Sequence, residues 1–174
     1  MKTFTNTRIS KIHRIAIIVL ISVSYWTTSY AQTTNFSGTW VIDKQKINFN
    51  NAPEWILPIK FVINQEQSDM EIQTTMANKD LVQTAVNQKL AFSGQITESS
   101  TASGGKLLTS IKWSNDQRSF VLSAQSYLLG EQSALKLTEA FSLTDDGKTL
   151  VADRSVEQPD GSKYKIKAFY DKQQ

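Results

Sequence analysis

Apolar and polar residues alternate along almost the whole chain after residue 35, and this period of two limits the fold more than any other feature. Successive side chains of a β-strand point to opposite faces, so the alternation predicts half-buried strands. It covers nine runs, at residues 36–42, 59–63, 70–76, 82–92, 107–113, 120–126, 135–143, 150–156 and 164–170. Only residues 44–56 leave room for a short helical turn. We therefore expect an all-β protein of antiparallel strands.

The strands are expected to close into one barrel. Short strands joined in sequence leave two unpaired edges unless the sheet closes on itself. An up-and-down antiparallel β-barrel of about 8–10 strands is the simplest closed arrangement. The Ser/Gly-rich stretch 99–105 is expected to be a flexible connection. The length suits a single domain, and no repeat or linker indicates a second one.

Two turns near the C-terminus predict the register of the last three strands. A hairpin turn at 145–148, with Asp-Gly at its centre, places Glu139 opposite Arg154. A turn at 158–161, with its glycine in the left-handed conformation, places Arg154 opposite Ile166. The apolar faces match in both registers, and a slip of one residue would destroy that match. Both turns therefore place Arg154 on the inward face.

The first 31 residues have the order of a secretory signal peptide. Four basic residues and no acid accompany the largely apolar run 15–23, and the small-residue site Ser29-Tyr30-Ala31 follows. A run this short lies far below the ~20 residues that span a bilayer. We expect cleavage after Ala31, export to a periplasmic or extracellular location, and a mature domain of residues 32–174 with no membrane span. No cysteine is present, so we expect no lipid anchor.

Removal of that segment restricts the chemistry of the mature domain. The sole histidine, His13, would leave with it, and the chain has no cysteine. Ser-His-Asp and Cys-His nucleophile arrangements are then excluded. Metal sites built from imidazole or thiolate are excluded as well, and no EF-hand loop is present. We expect no metal and no cofactor.

The net charge gives no indication of a nucleic-acid partner. The formal charge of +3 arises in the first 31 residues, and residues 32–174 carry 15 basic and 16 acidic side chains. Lys163, Lys165 and Lys167 form an outward row on one strand. Such a row is more typical of a solvated face that protects a sheet from edge pairing than of a polyanion site.

Both ends of the mature domain resemble one known family. The segment 35–46, which opens NFSGTW, and the segment 139–172 are similar to secreted bacterial lipocalin-like proteins, of the lipocalin and calycin group. Gly38-x-Trp40 matches the G-x-W element of that group. The resemblance implies a β-barrel in which Trp40 closes one end and stacks against an arginine of the last strands, a role that Arg154 would take.

Glu139 and Arg154 have two interpretations. They form either a structural ion pair beneath Trp40, with a cation–π contact to the arginine, or a ligand-binding or proton-transfer pair inside a cavity. We favour the structural interpretation, because a lone glutamate with an arginine does not define an enzyme.

Small inward residues on the late strands suggest a cavity. We expect the ligand cavity to be lined by Phe120, Ala124, Phe141, Ala152, Ala168 and Tyr170. The competing interpretation is that the alanines only make room for the phenylalanines opposite them. A barrel of about eight strands either fills itself with side chains or holds one small ligand.

Three hypotheses of function follow. The favoured one is a secreted or periplasmic protein that binds a small, largely apolar molecule in its barrel. The second is a filled barrel that acts as a protein-interaction or stress module of the cell envelope, without a small ligand. The third, ranked last, is a cofactor-free isomerase or hydrolase that uses Glu139.

Overall fold

The computed structural model describes residues 33–49, 52–101, 104–127, 130 and 134–174. In chain order the strands are β1 (Gly38–Ile42), β2 (Pro58–Gln65), β3 (Asp69–Ala77), β4 (Gln83–Ala91), β5 (Thr97–Ser100), β6 (Lys106–Trp113), β7 (Ser119–Tyr127), β8 (Ala134–Leu143), β9 (Thr149–Glu157) and β10 (Lys163–Lys172). Two 3-10 turns, Lys44–Lys46 and Glu54–Ile56, occupy the stretch predicted to hold a helical turn. The signal peptide prediction concerns residues that lie outside the described ones.

The ten strands form one antiparallel sheet in the order β4-β3-β2-β1-β10-β9-β8-β7-β6-β5. Every strand pairs with its neighbour in sequence except at the step from β4 to β5, and β1 pairs with β10. The result is a nearly closed up-and-down barrel, as the alternation predicts.

Strand β5 is absent from the nine runs, and the prediction of a flexible connection at 99–105 was wrong for its first two residues. Ser99 and Ser100 belong to β5, which pairs with β6 from Thr97↔Thr109 to Ser100↔Lys106. The sequence of β5, TESS, contains no apolar side chain, so alternation cannot reveal it. Backbone pairing along β6 forms this strand without a buried face.

The predicted registers of the last three strands are confirmed. Glu139 lies opposite Arg154, and Arg154 lies opposite Ile166. Both turn glycines have positive φ, +66° for Gly147 and +85° for Gly161. All three paired side chains are buried, so they point into the barrel.

The half of the barrel near the β6–β7 and β8–β9 turns, here called the closed half, is filled by aromatic side chains. Phe120 stacks on Phe141 at 4.8 Å between ring centroids, and Phe36 meets Phe120 edge-on at 4.9 Å. Phe61 contacts both Phe141 and Tyr170. These side chains are at most 2% exposed, so the closed half is a packed core.

The other half of the barrel, here called the open half, has a gap between β4 and β5. Residues 81–87 are all exposed, which shows that this part of β4 is uncovered on both faces. Three contacts join the two sides where the gap narrows. They are the Ser93↔Lys112 bridge, the Phe92–Trp113 ring stack at 4.5 Å and a hydrogen bond from Gln88 to Thr109.

Candidate functional site

A cavity of about 250 Å³ lies in the open half of the barrel. Seven strands contribute inward side chains to it, most of them apolar. The lining residues are Pro58, Phe61, Thr74, Met76, Val86, Gln88, Leu107, Thr109, Leu122, Ala124, Leu137, Glu139 and Arg154. A largely apolar lining with a few polar groups is the usual composition of a small-molecule site.

The order of inward residues along β8 locates the floor of the cavity. Leu137, Glu139 and Phe141 follow one another on the inward face; Leu137 and Glu139 line the cavity, whereas Phe141 belongs to the packed core. Arg154 lines the cavity from β9, and the next inward residue, Ala152, is fully buried in the core. Glu139 and Arg154 therefore lie where the cavity meets the core.

The two charged side chains form a bidentate ion pair. The Nε and Nη2 atoms of Arg154 donate to the two carboxylate oxygens of Glu139 at 3.0 and 3.1 Å. The side chains are only 8% and 2% exposed. The Nη1 atom donates to the backbone carbonyl of Ile56 at 2.7 Å, which ties the second 3-10 turn to the barrel. Both charges are thus compensated within the protein.

The pair and its surroundings keep Arg154 charged. Burial acts to lower the pKa of Arg154, but the charge of Glu139 and its hydrogen bonds outweigh burial and raise that pKa above its ordinary value. Tyr170 is fully buried, and burial raises the pKa of its hydroxyl far above the usual range. Its oxygen has no hydrogen-bond partner in the structure.

A second polar contact joins β4 to β6 in the wall of the cavity. The side-chain amide nitrogen of Gln88 on β4 donates to the hydroxyl of Thr109 on β6 at 3.0 Å. Both residues line the cavity, and Thr109 is only 1% exposed. The contact joins the two sides of the gap.

The six predicted ligand-lining residues are divided between the cavity and the packed core. Ala124 lines the cavity. The other five belong to the packed core, at 0–1% exposure; they are Phe120, Phe141, Ala152, Ala168 and Tyr170. The interpretation that small residues make room for large ones holds there, because Ala152 lies directly opposite Phe141.

The resemblance implies that Arg154 stacks on Trp40, and the structure places a different cation over that ring. The cation over the Trp40 ring is the ammonium of Lys172, 5.1 Å from the ring centroid, while the Trp40 indole donates to the carbonyl of Phe36 at 2.9 Å. Gly38 has φ of +149°, and a Cβ there would come within 2.8 Å of the Lys172 side chain. The absence of a side chain at Gly38 therefore leaves room for the Lys172 side chain to lie across the Trp40 ring.

Sequence reasoning missed the early-strand side of the cavity. Met76, Val86, Gln88 and Leu107 lie on the inward face of predicted strands, so alternation placed them inward. Alternation alone gives no indication of a gap beside β4. The signal was in β4 itself, whose outer half mixes Thr, Ala and Val with Gln and Asn and contains no large apolar side chain to fill the interior.

No model of a known protein family matches the chain, and no curated protein matches it significantly. Within the described part of the chain, no helix has the length and apolar character needed to cross a membrane. Among the same residues, no three metal-ligating side chains converge on one point.

Proposed function

We propose that this chain is a lipocalin-like protein of a periplasmic or extracellular compartment that binds a small, largely apolar molecule in the open half of its barrel. The observation that carries the proposal is the cavity of about 250 Å³, which lies directly above the packed core. The inward residues of the closed half are largely aromatic. In the open half, the inward residues include the smaller side chains of Ala124, Leu137 and Thr109, which leaves space for a ligand.

The first and last strands of the barrel support the family proposal. Gly38 and Trp40 occupy the first strand, as in the G-x-W element, and Trp40 is fully buried. The last strand pairs with the first and places Lys172 over the Trp40 ring. A ten-strand up-and-down barrel with its first and last strands joined in this way is consistent with the resemblance.

Burial of apolar surface would provide most of the binding free energy. Each Å² of apolar ligand surface removed from water contributes about 25 cal/mol, so about 200 Å² contributes about 5 kcal/mol before the cost of association. The gap between β4 and β5 offers a route into the cavity, because residues 81–87 leave it uncovered. Polar groups at the floor would orient the ligand.

Titration with the uncharged fluorescent probe N-phenyl-1-naphthylamine tests the proposal. We expect saturable fluorescence enhancement with the wild-type protein. The variant Ala124→Phe fills the cavity from β7 and should weaken probe binding at least tenfold. The control Ser123→Phe places the same ring on the neighbouring residue, which faces the solvent, and should bind as the wild type does. Equal binding by both variants, or no enhancement at all, would overturn the proposal.

A further inference from the structure

The floor of the cavity is polar but carries no net charge. Of the described residues that line the cavity, Glu139 and Arg154 are the titratable ones, and their charges cancel. Tyr164 and Tyr170 lie close enough to interact with Arg154. Both are uncharged at neutral pH, because the ordinary tyrosine pKa is about 10 and burial raises it further. A ligand that reaches the floor meets a matched ion pair.

Both members of the pair line the cavity and retain unused hydrogen-bonding capacity. The hydrogen bonds of Arg154 engage three of the five N–H groups of a guanidinium. Each carboxylate oxygen of Glu139 accepts one hydrogen bond from Arg154 and has a second lone pair. A hydroxyl both donates and accepts, so it can bond to either member of the pair without disturbing the charge balance.

A ligand with a carboxylate group would disturb the charge balance of the pair. It would accept from Arg154 but would also lie beside the Glu139 carboxylate, and the site would then carry an uncompensated negative charge. Like charges at short range and burial away from water both disfavour the ionised form of such a ligand.

We infer that the ligand is an uncharged amphiphile whose hydroxyl group contacts the Glu139–Arg154 pair, and that this pair selects against acids of the same chain length. The inference rests on the proposed function, since it names the class of ligand that the cavity takes. It assigns Glu139 the role of a specificity-determining residue.

Competition between an alcohol and its matching acid tests the inference. N-phenyl-1-naphthylamine is bound first and then displaced by 1-octanol or by octanoate at pH 7.5. We expect 1-octanol to displace the probe at a concentration at least tenfold below that of octanoate. As the pH is lowered toward the pKa of the acid, octanoate should compete about tenfold better per pH unit, because the neutral acid is the form that binds. Competition by 1-octanol should not change.

The variant Glu139→Gln provides the second measurement. It keeps the shape of the side chain but leaves the charge of Arg154 uncompensated, so octanoate should become the better competitor. The control Asp153→Asn removes a carboxylate from the neighbouring position of β9, which faces the solvent, and should keep the wild-type order. Retained probe binding shows that each variant is folded. The pH series uses the wild-type protein alone, so it tests the inference even if a variant does not fold.

The outcomes separate the two proposals. If the wild type binds the probe but octanoate at pH 7.5 competes as well as 1-octanol or better, the inference is wrong and the proposed function stands. If the probe does not bind the wild type, the proposed function fails and the inference fails with it.

Discussion

Glu139 and Arg154 are buried at the boundary between the packed core and the cavity, so the same two side chains belong to the core and line the proposed ligand site. A buried charge is tolerated here because its partner is within hydrogen-bonding distance. Arg154 also holds the carbonyl of Ile56, which extends the effect of the pair to the segment between β1 and β2. Loss of one member would leave the other charged and unpaired.

The single variant Glu139→Leu should therefore lower the free energy of unfolding by about 3–5 kcal/mol. The double variant Glu139→Leu/Arg154→Met removes both charges and should lose much less, although the Ile56 carbonyl loses its donor. Urea denaturation of the two variants and the wild type measures the difference. A single variant as stable as the double one would show that the pair is not a coupled unit.

Because Tyr170 is buried, we expect the protein to lose stability at alkaline pH. Because burial raises the pKa of its hydroxyl in the folded protein, the folded state holds the proton while the unfolded state releases it above about pH 10. The contribution is fully present below that pH and falls by about 1.4 kcal/mol per pH unit above it.

The variant Tyr170→Phe removes this dependence. We expect it to match or exceed the wild type at pH 7, because the hydroxyl has no hydrogen-bond partner, and to lose less stability between pH 10 and 11. Chemical denaturation at both pH values checks the prediction. Identical alkaline slopes for the two proteins would contradict it.

At the scale of elements, two β-hairpins share one loop geometry but differ at its left-handed position. The β9–β10 loop closes through Gln158 and Ser162 and has Gly161 at positive φ. The β3–β4 loop closes through Asn78 and Val82 with the same hydrogen bonds, but has Leu81 at φ of +63°. A side chain in that conformation costs about 1–2 kcal/mol, and Leu81 is 79% exposed, so no burial offsets the cost.

Exchange of these residue types should have opposite effects. Leu81→Gly should raise the free energy of unfolding by about 1 kcal/mol, and Gly161→Leu should lower it by a similar amount or more. Thermal melts of both variants, read against the wild type, test the pair. A stabilising effect of Gly161→Leu would show that the shared loop geometry does not govern the cost.

The same elements show how far sequence reasoning reaches. Alternation and turn chemistry predicted nine of the ten strands and the pairing of Glu139 with Arg154, because a buried face and a specific turn impose both. The β5 strand could not be predicted, because it has no alternating apolar face and is recognised by its backbone pairing with β6. The half of the barrel that holds the cavity could not be predicted, because inward orientation follows from period two but depth along the barrel does not.

For the whole molecule, stability should be uneven around the barrel wall. β9 has paired neighbours on both sides, whereas β4 pairs with β3 alone and is exposed along its outer half. We expect backbone amides of residues 83–87 to exchange with solvent at least about tenfold faster than those of β9. Hydrogen–deuterium exchange resolved by peptide measures this, and uniform protection of β4 and β9 would contradict it.

The pairing of β1 with β10 has a consequence for the order of events during synthesis. β1 joins the first part of the sheet to the last, through Trp40↔Lys172 and a hydrogen bond from Gln173 to Thr39. β10 is translated after every other described strand, so a nascent chain can form hairpins but cannot join the two ends of its sheet. Until the ribosome has released the region around Lys172, β1 lacks one of its two partner strands and the sheet stays open.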